Sequence, residues 1–441
     1  MVNVEKLPYS VWRTSKGYII FSHLTGGWVH VSPKIYRKFV YEKWTKGMIE
    51  KFFWRGIIKV NGKTRPVALR KYEFEPTLIE IEITRNCTLR CKYCYASAGE
   101  RKVMKKETLE KLAELISKLP SKRIGIQPSG GEPLMEWEKI KWLIDRIHVL
   151  KKDLKELKVN IETNGTLVSP KIAKELKEYD VKIGVSIDGR ENEHNVARIF
   201  PDGKGSYKYV VRAIENLRNA GYTWISSITT FHRFNIHDPE GILRHLWLDL
   251  GISASRFNYA IFMGRIQNYR EFYISPKEFL EAKKRIFLEA YRLKKRGVKS
   301  RLLDEYFDNL TRMYDKNICL SRGCRAGIRM FFIDVNGDIY PCTRLQIPFL
   351  KLGSVFSITD LSQCYERFIS LPLRSSATLQ WCGDCPWKFF CEGGCPGESL
   401  HFYGTPYYPS PFCGFIKEYY KFLLNFIIKH YNEPELLDIT F

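Results

Sequence analysis

The chain has 441 residues, of which 44% are hydrophobic and 27% are charged, and its formal net charge is +23 at pH 7. These proportions are ordinary for a globular protein and leave room for two or three domains. The N-terminus has no charged region followed by an apolar run, so we expect no signal peptide. The longest apolar stretches are too short to cross a bilayer. We therefore expect a cytoplasmic protein with no membrane partner.

The positive charge has two interpretations. Lys and Arg are spread along predicted helices, as in EAKKRIFLEAYRLKKR, which favours a solvated surface. The alternative is a nucleic acid or another acidic partner. Twelve cysteines in a cytoplasmic protein favour metal or redox chemistry over disulfides.

Residues 1–72 are predicted to form a small α+β unit. Three strand-like runs, YSVWR, GYIIFSH and GWVHV, are separated by turn residues. Ser32 and Pro33 then begin a helix, a second short helix lies near 45–54, and GIIKV ends the unit as a strand. The segment NGKTRPVALRKYEFEP is a plausible linker.

Between residues 76 and 300, strands and helices alternate. Each predicted strand is followed by a helical segment, and the strands are TLIEIEIT, RIGIQ, VNIET, VKIGVSI, WISSITTF and SRFNYAIF. Six βα units in series imply a parallel sheet, either an open sheet or a partial barrel. In both architectures we expect the chemistry at the carboxyl ends of the strands.

Residues 315–415 contain little predicted helix and nine of the twelve cysteines. FFIDVNGDIYPC is predicted to be a hairpin with Asn336 and Gly337 in a type I′ turn. Residues 416–441 form a C-terminal helix and tail.

Three cysteines, Cys87, Cys91 and Cys94, directly follow the first strand of the alternating region, in CTLRCKYCYASA. Soft thiolates select zinc, copper(I) or iron–sulfur clusters, and structural zinc takes four closed ligands. Three thiolates leave one coordination position open for a group that is not protein.

The spacing resembles the C-x3-C-x-aromatic-C motif of the radical S-adenosylmethionine (radical SAM) superfamily, with Tyr93 as the aromatic residue. The resemblance implies an α/β fold with a partial (β/α)6 barrel of the TIM type. It also implies a 4Fe–4S cluster on the three cysteines, with the open iron chelated by S-adenosylmethionine (SAM). An external one-electron donor of the flavodoxin or ferredoxin type would reduce this cluster, and SAM cleavage would give a 5′-deoxyadenosyl radical.

Further motifs follow the next three strands: SGGEP, TNG and SIDG. In the superfamily, the first holds the amino group of the cofactor, and the other two supply polar groups for its ribose and carboxylate. Arg198 either contacts the cofactor's carboxylate or forms a salt bridge at the start of a helix. The implied cofactor-binding residues are Tyr93, Gly130, Gly131, Glu132, Asn164, Ser186 and Arg198.

The C-terminal cysteines resemble the SPASM domain, which is named from peptide and sulfatase maturases. They read C-x12-G-x4-C from Cys324 to Cys342 and C-x2-C-x5-C-x3-C from Cys382 to Cys395. The eight-cysteine version implies two auxiliary 4Fe–4S clusters, so that the chain would bind three clusters in all. The first auxiliary cluster would be held by Cys319, Cys324, Cys342 and Cys395, and the second by Cys382, Cys385, Cys391 and Cys413.

Two features of this assignment stay open. A pair of zinc ribbons is the alternative to the auxiliary clusters. The spacing at Cys319 differs by one residue from that of the sulfatase maturases, and without Cys319 the first auxiliary cluster would have an open position. Cys364 is left over and is expected to be a small buried residue.

The resemblance implies an oxidoreductase that modifies a peptide or protein oxidatively, for instance by cross-linking, with the auxiliary clusters relaying electrons. Sulfatase maturases have Asp after the cysteine that matches Cys342, whereas this chain has Thr343, so formylglycine formation is not favoured. Residues 1–72 resemble a peptide-recognition element, with an ordinary cap on the barrel as the alternative. Two other hypotheses are an enzyme acting on a small molecule (a tetrapyrrole or lipid precursor) or RNA, and an electron carrier, which would leave the cofactor motifs without a use.

Overall fold

A computed structural model describes residues 2–25, 27–64, 74–311, 319, 324–372, 379–383, 385–430, 433 and 439. The predicted linker and the boundaries at 72 and 315 fall largely outside these residues. The N-terminal unit has the elements β1 (Val4–Lys6), β2 (Tyr9–Thr14), β3 (Gly17–Ser22), β4 (Trp28–Val31), α1 (Pro33–Val40), α2 (Lys46–Trp54) and β5 (Ile58–Val60). Ser32 caps α1, as predicted, by accepting a hydrogen bond from the Ile35 amide at 3.4 Å.

The N-terminal sheet has the order β2-β3-β4, and its two faces pack against different partners. On one face, Ile20 lies in a small core with Phe39 of α1 and Phe52 of α2. On the other face, the Trp12 ring lies 4.7 Å from the Trp387 ring in the C-terminal region. The unit is thereby fixed to the cysteine-rich part of the chain.

The middle of the chain alternates strands and helices, as predicted. Its elements are β6 (Leu78–Thr84), α3 (Lys106–Ser117), β7 (Arg123–Gly130), α4 (Trp137–Leu150), β8 (Glu156–Thr163), α5 (Pro170–Glu178), β9 (Lys182–Ser186), α6 (Glu191–Asn195), α7 (Tyr207–Asn219), β10 (Ser226–Phe231), α8 (Pro239–Arg244), β11 (Ala254–Tyr259), α9 (Pro276–Lys295), β12 (Arg301–Leu303) and α10 (Glu305–Thr311). The predicted capping box at the start of α9 is present, because Ser275 and Glu278 each accept the other's amide.

The C-terminal region adds β13 (Met330–Ile333), β14 (Asp338–Tyr340), β15 (Gly353–Ser354), α11 (Ser362–Ser370), α12 (Lys388–Cys391), α13 (Pro396–Tyr403) and α14 (Cys413–His430). Cys364 is fully buried in α11, which confirms the prediction for this residue. None of the helices in the described ranges combines the length and apolarity that a bilayer span requires.

One mixed α/β sheet runs through the barrel and into the C-terminal region, in the order β12-β11-β10-β9-β8-β7-β6-β13-β14-β15. Strands β6 to β12 are parallel neighbours in chain order. The carboxyl ends of these strands therefore meet at one edge of the sheet, where the predicted motifs lie.

Two details differ from the predictions. The short edge strand β12 was not predicted, because three residues give too little alternation to recognise. The type I′ turn is wrong: Gly337 has φ +89° but Asn336 does not have a positive φ. The Asp334 side chain accepts the amides of Asn336 and Asp338 at 2.8 and 2.9 Å, and this local bonding sets the turn.

Candidate functional site

The loop after β6 carries Cys87, Cys91 and Cys94, and other segments fix its backbone. The Arg90 amide donates to the Ile199 carbonyl at 2.7 Å, and the Arg265 guanidinium donates to the Cys91 carbonyl at 2.7 Å. Arg265 lies beyond β11, and no sequence motif links it to the cysteines of this loop. The loop is therefore a rigid cradle at the carboxyl edge of the sheet.

The three thiols lie within electrostatic range of one another. Burial raises the pKa of Cys87 to about 11, and Cys94 adds to this shift. Burial likewise raises the pKa of Cys91 to about 12, with contributions from Cys94 and Cys87. Thiols with raised pKa values stay protonated until a metal displaces the protons, so this arrangement needs a strongly bound metal to become a thiolate site.

Tyr93, in the same loop, belongs to a buried polar cluster. Its hydroxyl donates to Asp188 Oδ2, and Arg198 Nε donates to the same oxygen at 2.9 Å. The Arg198 guanidinium also lies 5.4 Å from the centre of the Tyr93 ring. Burial alone would raise the pKa of Asp188, but Arg198, His194 and His232 together hold it below its usual value. Arg198 thus forms a salt bridge with Asp188, three residues before the start of α6, and its contact with the cofactor's carboxylate stays a prediction.

The end of β7 approaches the cysteine loop so closely that it requires glycine. Gly130 has φ +120°, and a Cβ on it would lie 1.9 Å from the Thr84 carbonyl oxygen. A Cβ on Gly131 would lie 2.0 Å from the Asn86 carbonyl oxygen. Any larger residue would push SGGEP away from the segment that leads into Cys87.

Glu132 connects the ends of β7 and β8. Its carboxylate accepts hydrogen bonds from the Thr163 hydroxyl and the Asn164 amide, both at 2.8 Å, and from the Leu134 amide at 3.2 Å. Burial raises its pKa to about 7. The carboxylate thus joins the end of β7 to the end of β8, and its pairing with a cofactor's ammonium group stays a prediction.

Asn164 points back to the cysteine loop. Its Nδ2 donates to Thr88 Oγ1 at 3.0 Å and lies 3.7 Å from Cys87 Sγ. Ser186 lies half-buried at the end of β9. The side-chain amide of Asn164 therefore lies beside Cys87, a predicted cluster ligand. Ser186 lies at the same edge of the sheet.

The face of the sheet opposite the helices carries charged side chains that were not singled out from the sequence. Glu80 of β6 and Glu162 of β8 are examples, and burial raises the pKa of each to about 7. Arg256 of β11 lowers the pKa of Glu162 and pairs with Glu305. The signal was present in the strict alternation of LIEIEIT, where Ile79, Ile81 and Ile83 enter the core.

The C-terminal cysteines act on one another electrostatically, and their assignment to two clusters stays a prediction. Burial raises the pKa of Cys391 to about 12, and Cys385, Cys413 and Cys382 all contribute. Burial also raises the pKa of Cys342, and Cys319 and Cys324 contribute. Burial raises the pKa of Cys319, and Cys395 adds to this shift.

Arg344 lies between the barrel and the group of Cys319, Cys324, Cys342 and Cys395. Its amide donates to Cys342 Sγ at 3.4 Å, and its Nη1 lies 3.8 Å from Cys395 Sγ and 3.2 Å from Glu398 Oε1. It also lowers the pKa of Glu80, after the larger effects of burial and the Ser129 hydrogen bond. The position two residues after Cys342 was the only sequence signal for this role.

In the part of the chain that the structure describes, no three His, Cys, Asp or Glu side chains converge tightly enough to hold one metal ion. In a 4Fe–4S cluster each thiolate binds its own iron, so its ligands need not converge on one point. Grouped, buried thiols are the donor set that suits iron–sulfur clusters, and the residues present fit such groups.

Residues 81–246 match the sequence profile of the Radical SAM superfamily. These residues therefore form a radical SAM domain. The radical SAM cyclopropyl synthase TigE of Paramaledivibacter caminithermalis is 24% identical over 457 residues, which covers 92% of both chains. The AdoMet-dependent heme synthase of Nitratidesulfovibrio vulgaris is 26% identical and covers 77% of this chain and 92% of its own. The serine-type anaerobic sulfatase-maturating enzyme of Bacteroides thetaiotaomicron is 25% identical and covers 70% of this chain and 80% of its own.

Solved structures share the fold of this chain. Native anSMEcpe with bound AdoMet superposes with a TM-score of 0.70 at 19% identity, over 81% of this chain and 100% of the other. Streptococcus suis SuiB bound to the precursor peptide SuiA superposes with a TM-score of 0.56 at 15% identity, over 93% and 99%. At these identities the likeness shows a shared fold, and the sequence relatives named above include an anaerobic sulfatase-maturating enzyme.

Proposed function

We propose that this enzyme cleaves SAM reductively and uses the resulting radical to modify a peptide or protein oxidatively. One observation carries the proposal: the grouped thiols of Cys87, Cys91 and Cys94 lie on the loop that follows the first barrel strand, at the carboxyl edge of the sheet. When bound, the cluster and SAM would supply a 5′-deoxyadenosyl radical that removes a hydrogen atom from the substrate.

The chain's own residues would hold these groups. The cluster would be bound by Cys87, Cys91 and Cys94. The side-chain amide of Asn164, which lies beside Cys87 Sγ, would tune the reduction potential of the cluster by hydrogen bonding. The segment of Gly130, Gly131 and Glu132 would hold the cofactor's amino group, because the two glycines allow a close backbone approach and the Glu132 carboxylate lies beside them.

Ser186 and the Tyr93–Asp188–Arg198 cluster would border the rest of the cofactor site. Arg198 would keep its salt bridge with Asp188 and would hold the ring of Tyr93, which is part of the cysteine loop, in place. These three residues would therefore act by orienting the loop and the cofactor.

The C-terminal cysteines would hold two closed auxiliary clusters. Cys319, Cys324, Cys342 and Cys395 would bind the first, and Cys382, Cys385, Cys391 and Cys413 would bind the second. A substrate radical that forms a new bond must lose an electron, and closed clusters can accept it without binding substrate. Residues 315–415 would thus form the electron relay beside the barrel of residues 76–300.

Three observations support a peptide substrate. SuiB, which was solved with its precursor peptide, superposes over 93% of this chain. TigE and the sulfatase-maturating enzymes are among the relatives. The N-terminal sheet also presents β4 as an edge strand, and an extended leader peptide could pair with such an edge.

A small-molecule substrate is the second candidate. The heme synthase that covers 77% of this chain supports it, since its name assigns it a tetrapyrrole product. A peptide and a tetrapyrrole would both need an oxidising electron relay, so the cysteine pattern does not separate them.

Two experiments test the proposal. Anaerobically reconstituted protein should contain about twelve irons per chain and release 5′-deoxyadenosine on reduction with SAM. Zinc in place of iron would contradict it. Co-expression with small open reading frames from the same genomic neighbourhood, followed by mass spectrometry, should show a mass change in one peptide. If no peptide changes while a porphyrin precursor is consumed, the second candidate is correct.

A further inference from the structure

A groove of about 480 Å³ runs between the edge strand β2 and helix α14. Trp12 of β2 and Trp387 line one side, Lys417 and Lys421 of α14 line the other, and Cys385 lies in the wall. A second groove of about 540 Å³ continues along the same two elements, between Arg13, Phe422 and Lys429, among its lining residues. The surface is long, shallow and open, as docking surfaces for proteins commonly are.

The two grooves are basic. Among the described residues that line them, Arg13, Lys417, Lys421 and Lys429 are cations, and Glu418 is the single anion. Lys421 lies 3.9 Å from Glu418, but both side chains are more than half exposed, so this pair is weak. In the part of the chain that the structure describes, Lys417 forms no ion pair. Charge complementarity therefore calls for an acidic partner.

The groove also reaches the predicted second auxiliary cluster. Cys385 lines the groove, and its amide donates to the carbonyl of Cys382, another predicted ligand of that cluster, at 3.1 Å. A partner seated on Trp12, Trp381 and the two lysines would touch a ligand of the second auxiliary cluster. Electron transfer depends steeply on distance, so a partner at this surface is well placed to exchange electrons.

We propose that the groove between β2 and α14 docks an acidic one-electron carrier protein. The inference rests on the proposed function, because it requires the cluster of Cys382, Cys385, Cys391 and Cys413. One electron passes from the reduced cluster to the oxidised carrier, so that the cluster is oxidised by one electron and the carrier is reduced by one. No bond is made or broken, and the cluster becomes ready to accept the next electron from the substrate.

The test compares two double charge reversals in the reconstituted full-length enzyme. Lys417→Glu with Lys421→Glu changes the groove, and Lys152→Glu with Lys174→Glu makes the same change in net charge at exposed sites on the barrel. A purified oxidised flavodoxin serves as the acidic probe, and isothermal titration calorimetry measures its affinity at low and high salt. We expect the groove variant to bind about tenfold more weakly and with less salt dependence, and the barrel variant to bind like the wild type.

Stopped-flow absorbance gives a second readout, the rate at which prereduced enzyme transfers an electron to the flavodoxin. This rate should fall in the groove variant alone. Equal losses in both variants, or no loss in the groove variant, would overturn the proposal. A groove variant that loses affinity for a Glu-rich synthetic peptide but keeps that for flavodoxin would also overturn it, and would assign the groove to a peptide.

A failure of the proposed function would look different. In that case the wild-type protein would lack auxiliary-cluster iron before any carrier is added. Iron content and 5′-deoxyadenosine release with dithionite, measured on each variant, therefore separate a lost docking site from lost clusters.

Discussion

Replacing Arg344 with Gln should lower the reduction potential of the first auxiliary cluster. Arg344 Nη1 lies 3.8 Å from Cys395 Sγ, and its amide bonds to Cys342 Sγ. A cation stabilises the electron that a reduced cluster gains, so its removal makes the cluster a weaker acceptor.

The magnitude follows from Coulomb's law. A unit charge at the sulfur distance would contribute about 4 kcal/mol at an effective dielectric constant of about 20, a value suited to this site because 32% of the Arg344 side chain is exposed. The added electron is shared over the whole cluster, and a mean distance of about 8 Å reduces this to about 2 kcal/mol. For one electron, that corresponds to about 90 mV.

Redox titration monitored by electron paramagnetic resonance (EPR) measures this shift on reconstituted protein. Arg344→Lys keeps the charge and should shift the potential less. Glu398→Gln removes the anion 3.2 Å from Arg344 and should shift the potential upward. A potential in the Arg344→Gln variant that is unchanged or higher, at full iron content, would refute the electrostatic reasoning.

Three further predictions concern stability and ligation. Asp188→Asn should destabilise the protein by about 3 kcal/mol, because it leaves a buried guanidinium unpaired, whereas Asp202→Asn at an exposed pair should cost less than about 1 kcal/mol in urea unfolding. Glu162 has a folded pKa raised from 4.5 to about 7, so its ionisation weakens the wild type as pH rises through this range. Glu162→Gln should therefore gain up to about 3 kcal/mol relative to wild type above pH 7 and nothing below pH 4.5, and a constant difference across these pH values would contradict the assignment. Cys319→Ala should alter the EPR signal of one auxiliary cluster and Cys364→Ala none; equal spectra would remove Cys319 from the ligand set.

The order of the barrel elements was predictable because each strand and helix has a local pattern. The pairing of β6 with β13 was not, since the two strands lie about 250 residues apart in the sequence and no periodicity relates them. The hairpin turn was mispredicted for a different reason: the Asp334 side chain, rather than the Asn-Gly dipeptide, sets its geometry.

In the candidate site, too, some features were predictable from the sequence and others were not. The glycines of SGGEP were predicted to make a close backbone approach, and both do. The assignment of the C-terminal cysteines to two clusters came from the family resemblance and stays a prediction. The partners of Glu132 and Arg198 were not predictable, because a buried charge takes its partner from whichever strand end the fold brings near it. Arg265 approaches the cysteine loop from a distant segment and left no spacing to recognise. Arg344 lies two residues after Cys342, but no pattern marked its approach to Cys395.

The most direct test of the account is the EPR spectrum of the reduced, reconstituted enzyme with and without SAM. SAM should change the signal of one cluster only. Replacing Cys87, Cys91 and Cys94 together with Ala should abolish this change while about eight irons per chain remain. A spectrum that SAM leaves unchanged in the wild type, or a SAM effect that survives loss of the three cysteines, would contradict the assignment of the open cluster to this loop.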